Sequence, residues 1–208
     1  MRRAALLLLL ASPAVRADSS ADDHMLAGAQ YFQSGRFTEA LVEFRVAERA
    51  GTDGGAIWYV AATLVKLKQP EDALSEFARA EAEAPSDRDA LFDYYHALGC
   101  YDARLYFCSD RLLALIGERA GPRIAGQARR IRADLAPVLS AIPSTAAIDW
   151  YHARARAAFD AGRAALATAY YEEAFGLAAL RPDGYRRPEA LARIARLRPP
   201  AASAGRAR

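Results

Sequence analysis

Two cysteines and three histidines are the side chains of this sequence best suited to nucleophilic or metal chemistry. His24, His96 and His152 share no metal-ligand spacing with one another or with either cysteine, so the sequence predicts no metal site. It also contains no glycine-rich phosphate loop, no Gly-x-Ser-x-Gly elbow and no His-Glu-x-x-His helix. We therefore predict a protein that is not an enzyme and that uses no metal or other cofactor.

Cys100 and Cys108 are candidates for a disulfide bond. On one continuous helix their Cα atoms would lie about 12 Å apart, beyond the roughly 7 Å that a disulfide tolerates. A disulfide therefore requires a turn at residues 99–101, with the next helix beginning later. In the alternative, Cys108 is a small apolar core residue, because it shares a helix face with Leu105 and Leu112.

Carboxylates could support hydrolysis of a carbohydrate if two of them were buried about 5 to 9 Å apart in one cavity. The candidates are Glu39, Glu43, Glu172 and Glu173. Each lies on an amphipathic segment, and we interpret all four as solvent-exposed residues of helix faces. We expect no catalytic pair.

The composition predicts an all-α fold. Ala and Leu supply much of the 53% hydrophobic fraction, Val and Ile are sparse, and no alternating apolar run of strand length occurs. The 208 residues suffice for one ordinary domain or one short helical array.

Small and aromatic residues recur along the chain at helical spacing. The first copy contains Gly28, Tyr31, Gly35, Ala40, Phe44 and Ala47, the second Ala61, Leu64, Ala73, Phe77, Ala80 and Pro85, and the third Ala155, Ala158, Gly162, Ala167, Tyr171 and Ala174. Ala40 and Ala73 are equivalent and lie 33 residues apart. The small residues let two helices approach closely, and the aromatic residue fills the remaining gap.

This pattern resembles the tetratricopeptide repeat family, whose period is about 34 residues. The resemblance implies antiparallel helical hairpins stacked as a right-handed array, an α-solenoid, over residues 18–198. The expected parts are units at about 21–53, 54–86, 87–117 and 148–181, an irregular helix at 121–142, a capping helix at 188–198 and a disordered tail at 199–208. The unit at 87–117 is degenerate, and we expect Gly99 to end its first helix.

In proteins that resemble this family, the first helix of each unit lines a concave groove that binds a partner protein or peptide. The corresponding positions here are Met25, Phe32, Trp58, Val65, Phe92, His96, His152, Arg156 and Phe159. Aromatic residues and arginine are common anchors of interfaces. The alternative for each aromatic residue is core packing between units.

The first residues are typical of a secretory signal peptide. Two arginines precede an apolar run at residues 4–10, and Pro13 and small residues lead to a cleavage site near Ala17. The run is shorter than the ~20 residues needed to span a bilayer, so we expect no transmembrane segment. These features predict that residues 1–17 are removed and that the protein is periplasmic or secreted.

Charge is divided unevenly along the chain. Residues 18–98 contain 15 acidic and 7 basic residues, whereas residues 99–208 contain 10 acidic and 18 basic residues. This asymmetry favours weak head-to-tail self-association at low salt, although solvation of two surfaces is the simpler interpretation.

The sequence thus predicts an exported scaffold or adaptor of the bacterial cell envelope that binds a protein and no nucleic acid. In the alternative, the basic C-terminal half binds an anionic lipid or polymer surface.

Overall fold

The computed structural model describes residues 21–51, 55–141 and 144–180. The predicted signal peptide, capping helix and C-terminal tail lie outside these residues. Within them, all regular structure is helical, and the prediction of an all-α helical repeat array is confirmed. None of the helices described is both long enough and apolar enough to cross a membrane.

The helices pack as consecutive pairs. Their bounds are α1 Ala21–Gln33, α2 Phe37–Arg49, α3 Gly55–Lys66, α4 Pro70–Glu83, α5 Ala90–Asp102, α6 Tyr106–Ile116, α7 Pro122–Ala141, α8 Thr145–Asp160 and α9 Ala164–Ala179. Four hairpins, α1/α2, α3/α4, α5/α6 and α8/α9, have the most extensive contacts, and α7 packs mainly against α6. The predicted unit at 87–117 is therefore a helical hairpin, despite its weak small-residue pattern.

One turn geometry closes all four hairpins. The residue two positions before the second helix has positive φ: Gly35 at 78°, Lys68 at 59°, Arg104 at 64° and Gly162 at 74°. The following backbone N–H donates to the carbonyl five residues earlier, at 2.7 to 3.0 Å. This is the Schellman arrangement that ends helices. Its recurrence, with lysine or arginine at two of the sites, shows that the repeat extends beyond the matching glycines.

Gly99 does not end a helix, contrary to the sequence-based expectation. It lies inside α5 and is buried, and a Cβ atom there would come within 3.3 Å of Val65 Cγ2. The glycine therefore allows α5 to approach α3, and the chain turns at Arg104 instead. A glycine needed for close helix packing and a glycine needed for a turn look the same in a sequence.

Among the described residues, buried side chains form two core clusters. The first lies between α1 and α5 and is centred on Phe44, Trp58 and Phe77, which are all fully buried. The second joins α5 to α9 and includes Leu105 and Tyr170.

The last hairpin is attached to the preceding ones through α9, which packs against both α6 and α4. Arg163 donates to Glu71 and Asp72 of α4, each at 2.9 Å. Arg154 also donates to Glu71, at 2.8 Å, and its guanidinium lies over the ring of Trp150. This arrangement places α9 opposite α4 and α6 and leaves a cleft between the three helices.

Candidate functional site

The cleft between α4, α6 and α9 encloses about 560 Å³. We call it the α4/α6/α9 cleft. Leu74, Ala78, Glu81, Arg88, His96, Cys108, Arg111, Leu112, Leu115, Ala165, Thr168, Ala169 and Glu172 line it. Its volume and its mixture of apolar walls with a few charged groups are typical of ligand and peptide sites.

Arg88 organises the charged groups at one end of the cleft. Its Nη1 donates to Glu81 Oε1 at 2.9 Å, and its Nε donates to Asp93 Oδ1 at 2.5 Å. Asp93 is almost completely buried, so this pairing offsets the cost of removing its carboxylate from water. Partial burial raises the pKa of Glu81, although Arg88 acts in the opposite direction.

His96 stands at the inner end of the cleft. Its ring stacks on Phe77 with centroids 4.6 Å apart, and 15% of its side-chain surface is exposed. Within the described part of the chain, its buried Nδ1 has no hydrogen-bond partner, and the nearest carboxylate oxygen, Glu81 Oε1, is 3.6 Å away. Burial lowers the pKa of His96 to about 3, with Arg88 and Arg111 acting in the same direction. The imidazole is therefore neutral at physiological pH.

The acidic residues of the cleft do not form a buried pair. Glu81 and Glu172 both line it, but 38% and 51% of their side chains are exposed. Glu172 lies 3.7 Å from Arg111, which is itself exposed. The condition set for carbohydrate cleavage, two buried carboxylates in one cavity, is not met by these two residues.

Cys100 and Cys108 are joined by a disulfide, and their Cα atoms lie 6.1 Å apart. Neither cysteine lies in the turn, so the expectation that a disulfide requires a turn at residues 99–101 is wrong. Cys100 is near the end of α5 and Cys108 is in the first turn of α6, and the tight turn at Arg104 brings them face to face.

The structure also corrects the statement that no histidine shares a ligand spacing with a cysteine. Ligand atoms of His96, Cys100 and Cys108 all lie within 4.8 Å of one another. The signal in the sequence was the four-residue interval from His96 to Cys100, because residues four apart share one face of a helix. Cys108 is added to that pair only by the hairpin.

Glu173 is wrongly predicted as a solvent-exposed residue. Its side chain is fully buried, and its carboxylate accepts hydrogen bonds from the backbone N–H groups of Phe107 at 2.8 Å and Cys108 at 2.9 Å. It thus caps the start of α6 from a different hairpin. Burial raises its pKa to about 7, even though the backbone N–H donors favour the charged form.

Three predicted groove residues belong to the core. Trp58 is fully buried, and Val65 and Phe92 expose no more than 5% of their surface. Trp58 stacks on Phe92 and donates from Nε1 to the Ala84 carbonyl at 2.9 Å. These side chains are occupied by contacts within the chain, so their assignment to a partner-binding groove is corrected. The helical spacing of these three residues therefore reflects core packing between units and not a binding surface.

Apart from His96, the other predicted groove residues lie at two separate places, on α1 beside the first core cluster and on α8. Met25 and Phe32 are half-buried on α1, and Phe32 packs edge-on against Tyr95. Phe159 and Arg156 are exposed on α8, and the ring of His152 lies 5.8 Å from that of Tyr171. Of all the predicted groove residues, His96 alone lines the α4/α6/α9 cleft.

The cleft thus combines an apolar wall, two arginines, two glutamates, a neutral histidine and a disulfide, all held by helices that pack on one another. Sequence reasoning identified His96 and Cys108 individually but not the cleft, because its walls come from three hairpins. No protein-family model, no curated protein and no solved structure matches this chain.

Proposed function

We propose that this chain is an exported helical-repeat scaffold that binds a partner protein, and that the α4/α6/α9 cleft receives a segment of that partner. The observation that carries the proposal is an exposed leucine beside an exposed ion pair at one cleft. Leu115 is 54% exposed, and the side chains of Arg111 and Glu172 are 58% and 51% exposed. Leu115 and Arg111 lie four residues apart on α6 and therefore share one face.

This arrangement offers a partner both apolar and polar contacts. Covering the exposed half of Leu115 would contribute about 1 kcal/mol, since complete burial of a leucine is worth about 1.5 to 3 kcal/mol. Arg111 and Glu172 are 3.7 Å apart and largely solvated, and such surface pairs contribute only about 0 to 1 kcal/mol. A partner carboxylate can therefore replace Glu172 at Arg111 at little cost.

Binding is favoured over catalysis because His96, the histidine of the cleft, is poorly suited to proton transfer. General acids and bases work best with a pKa near the operating pH. The pKa of His96 is about 3, far below physiological pH, so its imidazole is a poor proton acceptor there. The export part of the proposal depends on residues 1–17, and N-terminal sequencing of the mature protein would test cleavage near Ala17.

Site-specific photocrosslinking in living cells would test the binding proposal. A photoreactive amino acid placed at Leu115 reports on the cleft, and the same residue at Val42 is a matched control. Val42 is 58% exposed on α2, in a different hairpin. We expect one specific crosslinked protein from position 115 and none from position 42.

Charge reversal at Arg111 provides a second test of the binding proposal. We expect Arg111→Glu to abolish that crosslink, because it removes the proposed anchor and repels a partner carboxylate. Arg129→Glu reverses an exposed arginine on α7 and should leave the crosslink unchanged.

Several results would contradict the assignment. Equal crosslinking from both positions, or insensitivity to Arg111→Glu, would place binding elsewhere. A crosslink to a second copy of the chain would support the self-association suggested by the charge asymmetry. Binding that is insensitive to Arg111→Glu but is lost at moderate salt or on removal of residues 183–208 would favour the anionic-surface alternative.

A further inference from the structure

Three potential metal ligands meet at the inner end of the α4/α6/α9 cleft. His96 and Cys100 lie on one face of α5, and Cys108 reaches them from the first turn of α6. Their ligand atoms all lie within 4.8 Å of one another. One imidazole and two thiolates are the protein ligands of a known type of Zn²⁺ site, which leaves the fourth tetrahedral position to water or another ligand.

The surroundings of His96 suit a ligand. Stacking on Phe77 at 4.6 Å fixes the plane of the imidazole. Its Nδ1 is buried and makes no hydrogen bond to the described residues, although almost all buried polar atoms in proteins have a partner. No hydrogen bond among the described residues therefore competes with a metal ion for this nitrogen.

We propose that His96, Cys100 and Cys108 bind a thiophilic d¹⁰ metal ion, such as Zn²⁺, when the two cysteines are reduced. Because His96 and Cys108 line the cleft while Cys100 is fully buried, the open coordination position faces the cleft. Two thiolates, a neutral imidazole and a divalent cation sum to zero charge, which limits the cost of placing the ion in a partly buried site. The metal-site proposal does not rest on the proposed partner binding, although both use the α4/α6/α9 cleft.

The disulfide and the metal exclude each other, and thiol–disulfide exchange connects the two states. A dithiol reductant gives two electrons and two protons to the Cys100–Cys108 bond, so that two thiols form and the reductant becomes a disulfide. Metal binding then displaces the two thiol protons. A disulfide oxidant reverses the sequence, because formation of the S–S bond removes both thiolate ligands and releases the ion.

Equilibrium binding to the full chain, without a histidine tag, would test the proposal. The chain is reduced anaerobically with a phosphine, and Zn²⁺ is titrated against a chromophoric chelator. We expect one Zn²⁺ per reduced chain and binding at least about 100-fold weaker to the oxidised chain, since oxidation removes two of three ligands. Co²⁺ should give thiolate charge-transfer bands and the intense visible bands of tetrahedral coordination in the reduced chain alone.

Variants test the individual ligands. We expect His96→Gln to weaken Zn²⁺ binding to the reduced chain by more than the roughly 10- to 100-fold lost on removing a second-shell partner. His152→Gln is the matched control and should leave affinity unchanged. Circular dichroism checks folding, and the ring ¹⁵N shifts of His96 in the wild-type chain report ligation without a substitution.

The proposal fails if reduced and oxidised chains bind Zn²⁺ with equal affinity, because the thiols are then not ligands. It also fails if His96→Gln binds as tightly as wild type, or if the ring nitrogens of His96 do not respond to Zn²⁺. In either of these cases, the cysteine pair binds the ion without the histidine.

Discussion

The buried carboxylate of Glu173 gives a prediction whose sign depends on two opposing effects. Burial favours the neutral acid, whereas the backbone N–H groups of Phe107 and Cys108 favour the carboxylate. Burial prevails, and the pKa rises from 4.5 to about 7. Between these values, the folded protein retains a proton that the unfolded chain has lost. The free energy of unfolding therefore falls as pH rises from 4.5 through about 7.

The size of the change in stability follows from the shift in the pKa of Glu173. At about 1.4 kcal/mol for each pH unit, the contribution of Glu173 changes by about 3 kcal/mol across the window. Glu173→Gln cannot titrate, so the free energy of unfolding of wild type, taken relative to that of this variant, should fall by that amount as pH rises. His96 has an opposite effect, because its lowered pKa makes stability rise with pH between about 3 and 6.5. Taking the difference between the two proteins removes the His96 contribution.

Urea unfolding, followed by circular dichroism across this window, measures the difference. The disulfide is kept intact, and a chelator removes metal ions. Glu172→Gln is the matched control, because it makes the same substitution at the neighbouring side chain, which is 51% exposed. A wild-type advantage over Glu173→Gln that is constant, or that grows with pH, would refute the reasoning. It would mean that the two backbone donors outweigh burial.

Three further predictions concern stability and use thermal or urea unfolding. Gly176→Ala should be strongly destabilising, because its Cβ would overlap ring carbons of Phe107. Gly126→Ala has no such contact and should stabilise α7 by about 0.5 to 1 kcal/mol. Equal effects of the two substitutions would contradict this. Trp58→Phe should cost about 1 to 3 kcal/mol, because the buried Ala84 carbonyl loses its donor, and an unchanged midpoint would argue against that hydrogen bond. Reducing the disulfide in the presence of a chelator should cost about 2.5 kcal/mol for a loop of this length, and no loss would show that it does not constrain the unfolded chain.

The tetratricopeptide-like pattern predicted the helical hairpins because it encodes local geometry. Small residues spaced along a helix, such as Ala40 and Ala47, indicate where another helix packs, and both are fully buried. The pattern could not separate packing from binding. Trp58 and Phe92 are of residue types that often anchor interfaces, yet they stack on each other in the core. Membership of the family and the right-handed sense of the array stay predictions.

The candidate site was much less accessible to sequence reasoning. Glu172 and Glu173 are adjacent and chemically identical in the sequence, but one is half-exposed in the cleft and the other is fully buried against α6. Successive residues of a helix point in different directions. The orientation of α9 therefore decides which of the two glutamates is buried. No local pattern around them contains the position of α6.

The sequence by itself determined the helical class and the hairpin spacing, because both follow from periodicity within about 34 residues. The tertiary structure decided where the chain turns, which carboxylate is buried, and that His96, Cys100 and Cys108 meet. The physical reason is that these outcomes depend on contacts between helices. Gly99 packs against Val65, Arg104 takes the turn conformation, and α9 closes the cleft only because it docks on both α4 and α6.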